Sequence, residues 1–159
     1  YVKKRQYSKA ISYFDKNLWL LRSAYPKKNR HFAEAYNNYA YVYRLKKEYE
    51  TALAYSKKAI DLMQVLFAKP HMYTARAYLN IGRIYVDTKQ PELAVRYFEK
   101  SIYTLKQVFG QQASLLSIAA YELGKLYLQQ GKHPQALSYL HQALVYGTPR
   151  FGKINDLYT

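Results

Sequence analysis

Cysteine is absent from this chain of 159 residues. Its absence excludes a disulfide framework, a thiolate metal site and a cysteine nucleophile. It also fits a reducing compartment, so we expect a cytoplasmic location. Long apolar runs are missing as well, since none approaches the roughly 18 residues that a transmembrane helix needs. We therefore expect no membrane span.

Acidic residues are scarce. Ten Asp and Glu stand against 25 Lys and Arg, which gives a formal net charge of +15, and the excess is larger in residues 1–60 than in the rest. The positive electrostatic potential of such a chain attracts acidic proteins, nucleic acid or an anionic membrane. Alternatively, the scattered Lys and Arg solubilise the outer faces of helices. Both interpretations stay open at this point.

The sequence shows no catalytic motif and no metal-binding motif. The six glycines build no phosphate-cradling loop. The histidines lack metal-ligand spacing on a common face; they are His31, His71, His133 and His141. We therefore predict no enzymatic activity, no cofactor and no metal.

What the chain does contain is a repeat. Residues of one kind recur every 42 positions, which indicates a stack of similar structural units. The clearest columns are Ala10, Ala52, Ala94 and Ala136, then Tyr13, Tyr55, Tyr97 and Tyr139, then Tyr1, Tyr43, Tyr85 and Tyr127. Each unit is predicted to contain two helices, because apolar residues in 33–62 recur at three and four spacing and the pattern breaks at Lys46–Glu48.

Small residues recur where the two helices of a unit must touch. They are Ala40, Gly82 and Gly124 in the first helix and the alanine column in the second, and a large side chain there would hold the helices apart. The tyrosine columns are interpreted as core, with each hydroxyl at a polar edge. Trp19 is likewise expected to pack against the next unit.

The pattern A-x-x-Y-x-N-x-G-x-x-Y followed by A-x-x-Y-F-x-x-[SA]-[IL] resembles the tetratricopeptide repeat. The 42-residue period is similar to that of kinesin light chains and bacterial regulators. The resemblance implies an all-α solenoid of antiparallel helix pairs stacked into a right-handed superhelix. A single array is predicted over 1–159, with a partial repeat at 1–32 and repeats at 33–74, 75–116 and 117–158. We expect it to be a piece of a longer protein.

The resemblance also implies that function lies on the first helix of each unit, on the face that lines the concave surface. Amides there can pair with a peptide backbone, and basic residues can pair with its acidic groups. The residues predicted to contact a peptide are Asn37, Asn38, Tyr41, Arg44, Arg76, Asn80, Arg83, Tyr121 and Lys125. The competing interpretation is that the amides only satisfy neighbouring helices.

We therefore predict a scaffold module that binds a protein or peptide, with an acidic partner favoured. One alternative is the ligand-sensing domain of a larger regulator, similar to the bacterial peptide-pheromone receptors. Another is self-association through exposed repeat ends. Direct nucleic-acid binding is the least favoured, because it needs exposed aromatics beside a basic patch and the tyrosines are assigned to the core.

Overall fold

Seven helices and no strand make up the part of the chain that the computed structural model describes, which comprises residues 2–25, 29–109 and 114–147. The helices are α1 (Val2–Ala24), α2 (Arg30–Leu45), α3 (Tyr49–Leu66), α4 (Met72–Asp87), α5 (Pro91–Phe109), α6 (Ser114–Gln129) and α7 (His133–Gly147). The predicted break at Lys46–Glu48 is the connection between α2 and α3. The repeat boundaries at residues 33, 75 and 117 stay a prediction.

Local chemistry explains where α2, α4 and α5 begin. The Asn29 side chain accepts a hydrogen bond from the His31 N–H at 3.0 Å and caps α2. His71, one period later, caps α4 when its Nδ1 accepts from the Tyr73 N–H at 3.3 Å. Each cap satisfies a donor that a helix N-terminus leaves unpaired. α5 begins at Pro91, where a missing N–H costs nothing.

The turn inside each helix pair has the same construction in all three units. Lys47, Lys89 and Gly131 stand one period apart and have φ values of 64°, 59° and 71°. A residue in this left-handed region ends the first helix and reverses the chain. Glycine adopts it without strain, whereas each lysine bears a modest conformational cost.

Close approach of the two helices in a pair depends on small residues, as the sequence predicts. A Cβ added to Gly82 would lie 2.5 Å from the Phe98 ring, and one added to Gly124 would lie 2.8 Å from Leu140 Cγ. Both distances are too short for two carbon atoms, so the partner side chain occupies the space that a larger residue would need. Ala52 and the alanines one and two periods later are buried at the same interface.

Three of the four tyrosines in the column that begins at Tyr13 contact the ring of a tyrosine in their own first helix, two of them stacked and Tyr97 tilted. The ring centroids are 5.5 Å apart for Tyr43–Tyr55, 5.5 Å for Tyr85–Tyr97 and 5.7 Å for Tyr127–Tyr139. Burial raises the pKa of Tyr55 and Tyr139, since the phenolate is the form that loses most by desolvation. These rings therefore belong to the packing within a pair.

Tyr13 and Trp19 on α1 differ from the prediction that they are packed, because their side chains are 70% and 67% exposed. Within the described residues, no first helix precedes α1, so Tyr13 has no ring of that kind to stack on. Trp19 belongs to a column that faces outward in later units as well, where Tyr103 and Val145 are exposed. α1 is also rich in Lys and Arg. It therefore combines basic residues with exposed aromatics, the combination that nucleic-acid binding needs and that the assignment of the tyrosines to the core did not predict.

Units stack because the second helix of one packs on the first helix of the next. α1 contacts α2, α3 contacts α4, and α5 contacts α6, while the first helices also contact each other, α2 with α4 and α4 with α6. No two second helices contact each other in the described ranges. The first helices thus share one side of an all-α solenoid of helix pairs, which we call the inner surface. The larger core runs through α4 to α7 and includes Phe98 and Leu123.

Candidate functional site

Ion pairs cross from one first helix to the next along the inner surface. Arg44 on α2 donates to the Asp87 carboxylate on α4 at 2.6 Å. Arg83 on α4 pairs with Glu122 on α6 at 2.9 Å. The Arg83–Glu122 pair is partly buried, so salt screens it less than it screens the exposed Arg44–Asp87 pair. They fix consecutive units relative to each other.

A cavity of about 320 Å³ lies where these ion pairs meet. We call it the groove, and its lining residues are Tyr41, Arg44, Arg83, Val86, Asp87, Glu122 and Lys125. It has an apolar part, because Tyr41 is an exposed aromatic at its edge and Val86 is half-buried. The Arg44 guanidinium lies 5.8 Å from the Tyr41 ring centroid, within the range of a cation–π interaction. The groove therefore offers cations and aromatic surface together.

Charge in the groove is unbalanced towards positive. Glu122 accepts from both Arg83 and Lys125, the latter at 3.1 Å, so two cations share one carboxylate. Lys125 is also nearly half exposed. In addition, Arg44 Nε is buried and has no hydrogen-bond partner among the described residues. Of these donors, the Lys125 ammonium is exposed and can be reached by an incoming carboxylate.

Four of the predicted site residues come together in the groove: Tyr41, Arg44, Arg83 and Lys125. Tyr121 lies beside it on α6, exposed, with the Lys125 ammonium 5.0 Å from its ring centroid. Arg76 lies near Tyr73, whose pKa its charge lowers against the larger effect of burial, and it does not line the groove. A peptide-binding role for any of these residues remains a prediction.

The asparagines have a different environment from the one that the resemblance implied. Asn37 and Asn80 are buried, and their amides link α2 to α4. Asn37 donates to the Tyr73 carbonyl at 2.9 Å, and Asn80 donates to the Asn37 carbonyl at 3.1 Å. Asn38 is half-buried in a cleft between α1 and α2. The geometry therefore favours the competing interpretation, in which the buried amides satisfy a neighbouring helix.

Val86, Asp87 and Glu122 are the groove residues that the predicted site left out. All three belong to the predicted inner face, but the site was predicted from amides, aromatics and cations, so an apolar residue and two acids were not included. The signal for the two acids was their spacing from the cations: Arg44 and Asp87 are one position more than a period apart, and Arg83 and Glu122 three positions less. Opposite charges at such a separation face each other across neighbouring units.

No group of three or more His, Asp or Glu in residues 2–25, 29–109 and 114–147 could hold a metal ion. In the same ranges, no helix is long and apolar enough to cross a membrane.

Comparison with known proteins supports the fold. Two family models, both described as tetratricopeptide repeat, match residues 31–107 and 119–150. Among solved structures, the chain is similar to BtubC (BKLC) from P. vanneervenii, with a TM-score of 0.74 at 19% sequence identity. The similarity covers 91% of this chain and 57% of that one, so this chain spans little more than half of its length. A search of curated proteins finds no significant match.

The family matches fall on the helix pairs α2–α3, α4–α5 and α6–α7, and the structural similarity at this identity concerns the fold. The resemblance to the tetratricopeptide repeat, inferred from residues that recur every 42 positions, is thereby confirmed. The chain belongs to the tetratricopeptide repeat family.

Proposed function

We propose that the chain is a protein-binding module whose groove holds an extended, acidic segment of a partner protein. Tetratricopeptide repeats generally mediate protein–protein interaction, and their fold is generally a non-catalytic scaffold. The acidic character of the ligand is the finer part of the proposal, and the charges of the groove support it.

One observation carries the proposal: Arg83 and Lys125 share the single carboxylate of Glu122. A second carboxylate, supplied by a ligand, can pair with Lys125 without breaking the Arg83–Glu122 ion pair. Charge-assisted hydrogen bonds of this kind are stronger than neutral ones. The net charge of +15 adds a long-range attraction for an acidic partner.

Exposed aromatics beside the cations support the same assignment. Tyr41 lines the groove, Tyr121 lies near Lys125, and both side chains are exposed with a cation near the ring. Such rings give contact area at a low cost in conformational entropy. A segment with acidic and apolar residues would match both the charge and the aromatic surface.

The test compares two lysine variants that change the net charge equally. Fluorescein-labelled peptides of about ten residues, one pool rich in Asp and Glu and one neutral, are titrated with the chain while anisotropy is followed. Lys125→Gln should weaken binding of the acidic pool about threefold to fivefold, as expected for a partly exposed ion pair. Lys57→Gln on α3, exposed and outside the groove, is the matched control and should change the affinity by less than about twofold.

Equal binding of the acidic and neutral pools would contradict the acidic ligand. An equal loss in the two variants would show that only the overall charge matters, and the groove would then not be the site.

A further inference from the structure

A second cavity of about 320 Å³ lies between the helix pair α4–α5 and the first helix of the next pair, α6. We call it the side pocket, and its lining residues are Val86, Lys89, Pro91, Leu126, Gln129 and Gln130. Val86 lines the groove as well, so the two cavities adjoin at this residue. The side pocket is therefore an extension of the groove between two units, not a surface beyond the last one.

Two small side chains open the side pocket. Val86 stands one period after Arg44, and Pro91 stands one period after Tyr49. Between the earlier two units, the long Arg44 side chain reaches from α2 to α4 and pairs there with Asp87. A valine is too short to span that distance. The chain thus places a large side chain at this boundary in one unit and leaves room for one in the next.

The lining favours a neutral, apolar side chain as the occupant. Val86, Pro91 and Leu126 form apolar walls, and Leu126 is buried. No Asp or Glu is among the lining residues, whereas Lys89 lines the side pocket with an exposed side chain. A cation in the manner of Arg44 would therefore have no counter-ion here, and burying an unpaired charge is costly.

One polar atom of the lining lacks a partner. Gln130 Oε1 is buried and has no hydrogen-bond partner among the described residues. Since a buried acceptor without a donor costs free energy, an occupant that donates a hydrogen bond is favoured. Tyrosine combines a flat apolar ring with a hydroxyl donor at its end. The volume is at the lower limit of ligand pockets, roughly 300–1,000 Å³, and suits one side chain.

We propose that the side pocket receives a tyrosine side chain of the partner segment that the groove holds. The ring packs against Val86 and Leu126, and the hydroxyl donates to Gln130 Oε1. This assignment rests on the proposed function, because the groove must hold the segment that carries the tyrosine. Because Val86 borders both cavities, a segment bound along the inner surface can place one residue in the side pocket while its acidic residues stay near Lys125.

Three acidic peptide pools measure the preference for tyrosine. They are fluorescein-labelled peptides of about ten residues, rich in Asp and Glu, that differ only in a central Tyr, Phe or Ala. In anisotropy titrations the Tyr pool should bind about tenfold more tightly than the Ala pool, because a ring is buried. It should bind about threefold to fivefold more tightly than the Phe pool, because only Tyr has the donor.

Two variants place this preference in the side pocket. Pro91→Tyr introduces the residue found one period earlier and leaves the groove lining unaltered, so the Tyr pool should exceed the Ala pool by less than about twofold. His133→Tyr is the matched control, because His133 stands one period after Pro91, exposed and outside the side pocket; it should keep the full preference. Gln130→Met removes the acceptor at similar length and should abolish only the preference of Tyr over Phe.

Affinity for the Ala pool should be unchanged in all three variants, which shows that they fold and keep the groove. If Pro91→Tyr disturbs α5, Gln130→Met tests the same assignment. Equal affinity for the three pools, while acidic pools still bind more tightly than neutral ones, would overturn the side pocket alone. Tighter binding of a pool with a central Trp would also overturn it. Acidic pools that bind no better than neutral ones would overturn the proposed function and this assignment with it.

Discussion

His71 caps α4 with an atom that can be protonated, unlike Asn29 at the start of α2. Its Nδ1 accepts from the Tyr73 N–H, which a protonated ring cannot do. Burial lowers the pKa of His71, and the charge of Arg30 lowers it further. Because the pKa in the folded chain is below the value of about 6.5 expected when unfolded, the unfolded chain binds the proton first as the pH falls. Stability contributed by His71 is therefore present above about pH 6.5 and is lost as the pH falls through the folded-state pKa.

Replacing this histidine by the residue found one period earlier should remove the effect. His71→Asn keeps an acceptor at the cap, so we expect its free energy of unfolding at pH 5 to exceed that of the unaltered chain by about 0.5–1 kcal/mol, with a smaller difference at pH 7.5. Urea denaturation followed by circular dichroism at the two pH values measures this. His141→Asn, exposed on α7 and not at a cap, serves as control. If both variants lose as much stability on acidification as the unaltered chain, the cap is not the cause.

At the scale of the helices, a chain of buried amides joins α2 to α4. Asn80 donates to the Asn37 carbonyl, Asn37 donates to the Tyr73 carbonyl, and the Tyr73 hydroxyl donates to Glu34 at 3.0 Å. Burial and then the hydrogen bond to Glu34 raise the pKa of Tyr73. These contacts hold two consecutive first helices together in an interior where an unpaired polar group would be costly.

The buried amides give a test between a structural and a ligand-binding role. Asn80→Ala removes the buried amide that donates to the Asn37 carbonyl and should reduce the free energy of unfolding by about 1–3 kcal/mol. Asn38→Ala, at the half-buried position next to Asn37, should reduce it by less than about 0.5 kcal/mol. Thermal unfolding of the two variants measures the difference. Loss of peptide binding in Asn80→Ala at an unchanged Tm would instead show that this amide contacts the ligand.

The positions of the helices were more predictable from the sequence than the packing of one unit against the next. Spacing alone placed the break at Lys46–Glu48 and the small residues at Gly82 and Gly124, because each depends on local periodicity or on a partner one helix away. Whether an amide such as Asn80 faces a ligand or the next unit depends on how two units are rotated against each other. A single repeat does not encode that angle, so the sequence pattern left both roles open.

Position in the array also affected what could be predicted. Tyr13 and Tyr55 occupy the same column, yet Tyr13 is exposed and Tyr55 is stacked on Tyr43. A periodic pattern assigns the same environment to every copy. It is therefore least informative for the first and last helices of the described part, which have a neighbouring unit on one side only.

For the whole molecule, the excess of positive charge is expected to act in the groove, where two cations share one carboxylate of the chain. Glu122→Gln removes the carboxylate that Arg83 and Lys125 share, so both cations become available to a ligand. If the groove binds acidic segments, affinity for the acidic peptide pool should increase about threefold to tenfold, and the gain should shrink as salt screens the added charge. Loss of the inter-unit ion pair should lower stability at the same time, since one partner of a partly buried pair is left alone.

The control for this variant is Asp61→Asn, which makes the same change in net charge at an exposed position on α3. Anisotropy titrations of both variants at two salt concentrations separate a local effect from a general one. Because removing an acid from a merely structural ion-pair network lowers stability without improving any binding, an increase in affinity specific to Glu122→Gln supports the groove as the site. An unchanged or weaker affinity in that variant would mean that Arg83 and Lys125 only hold α4 and α6 together.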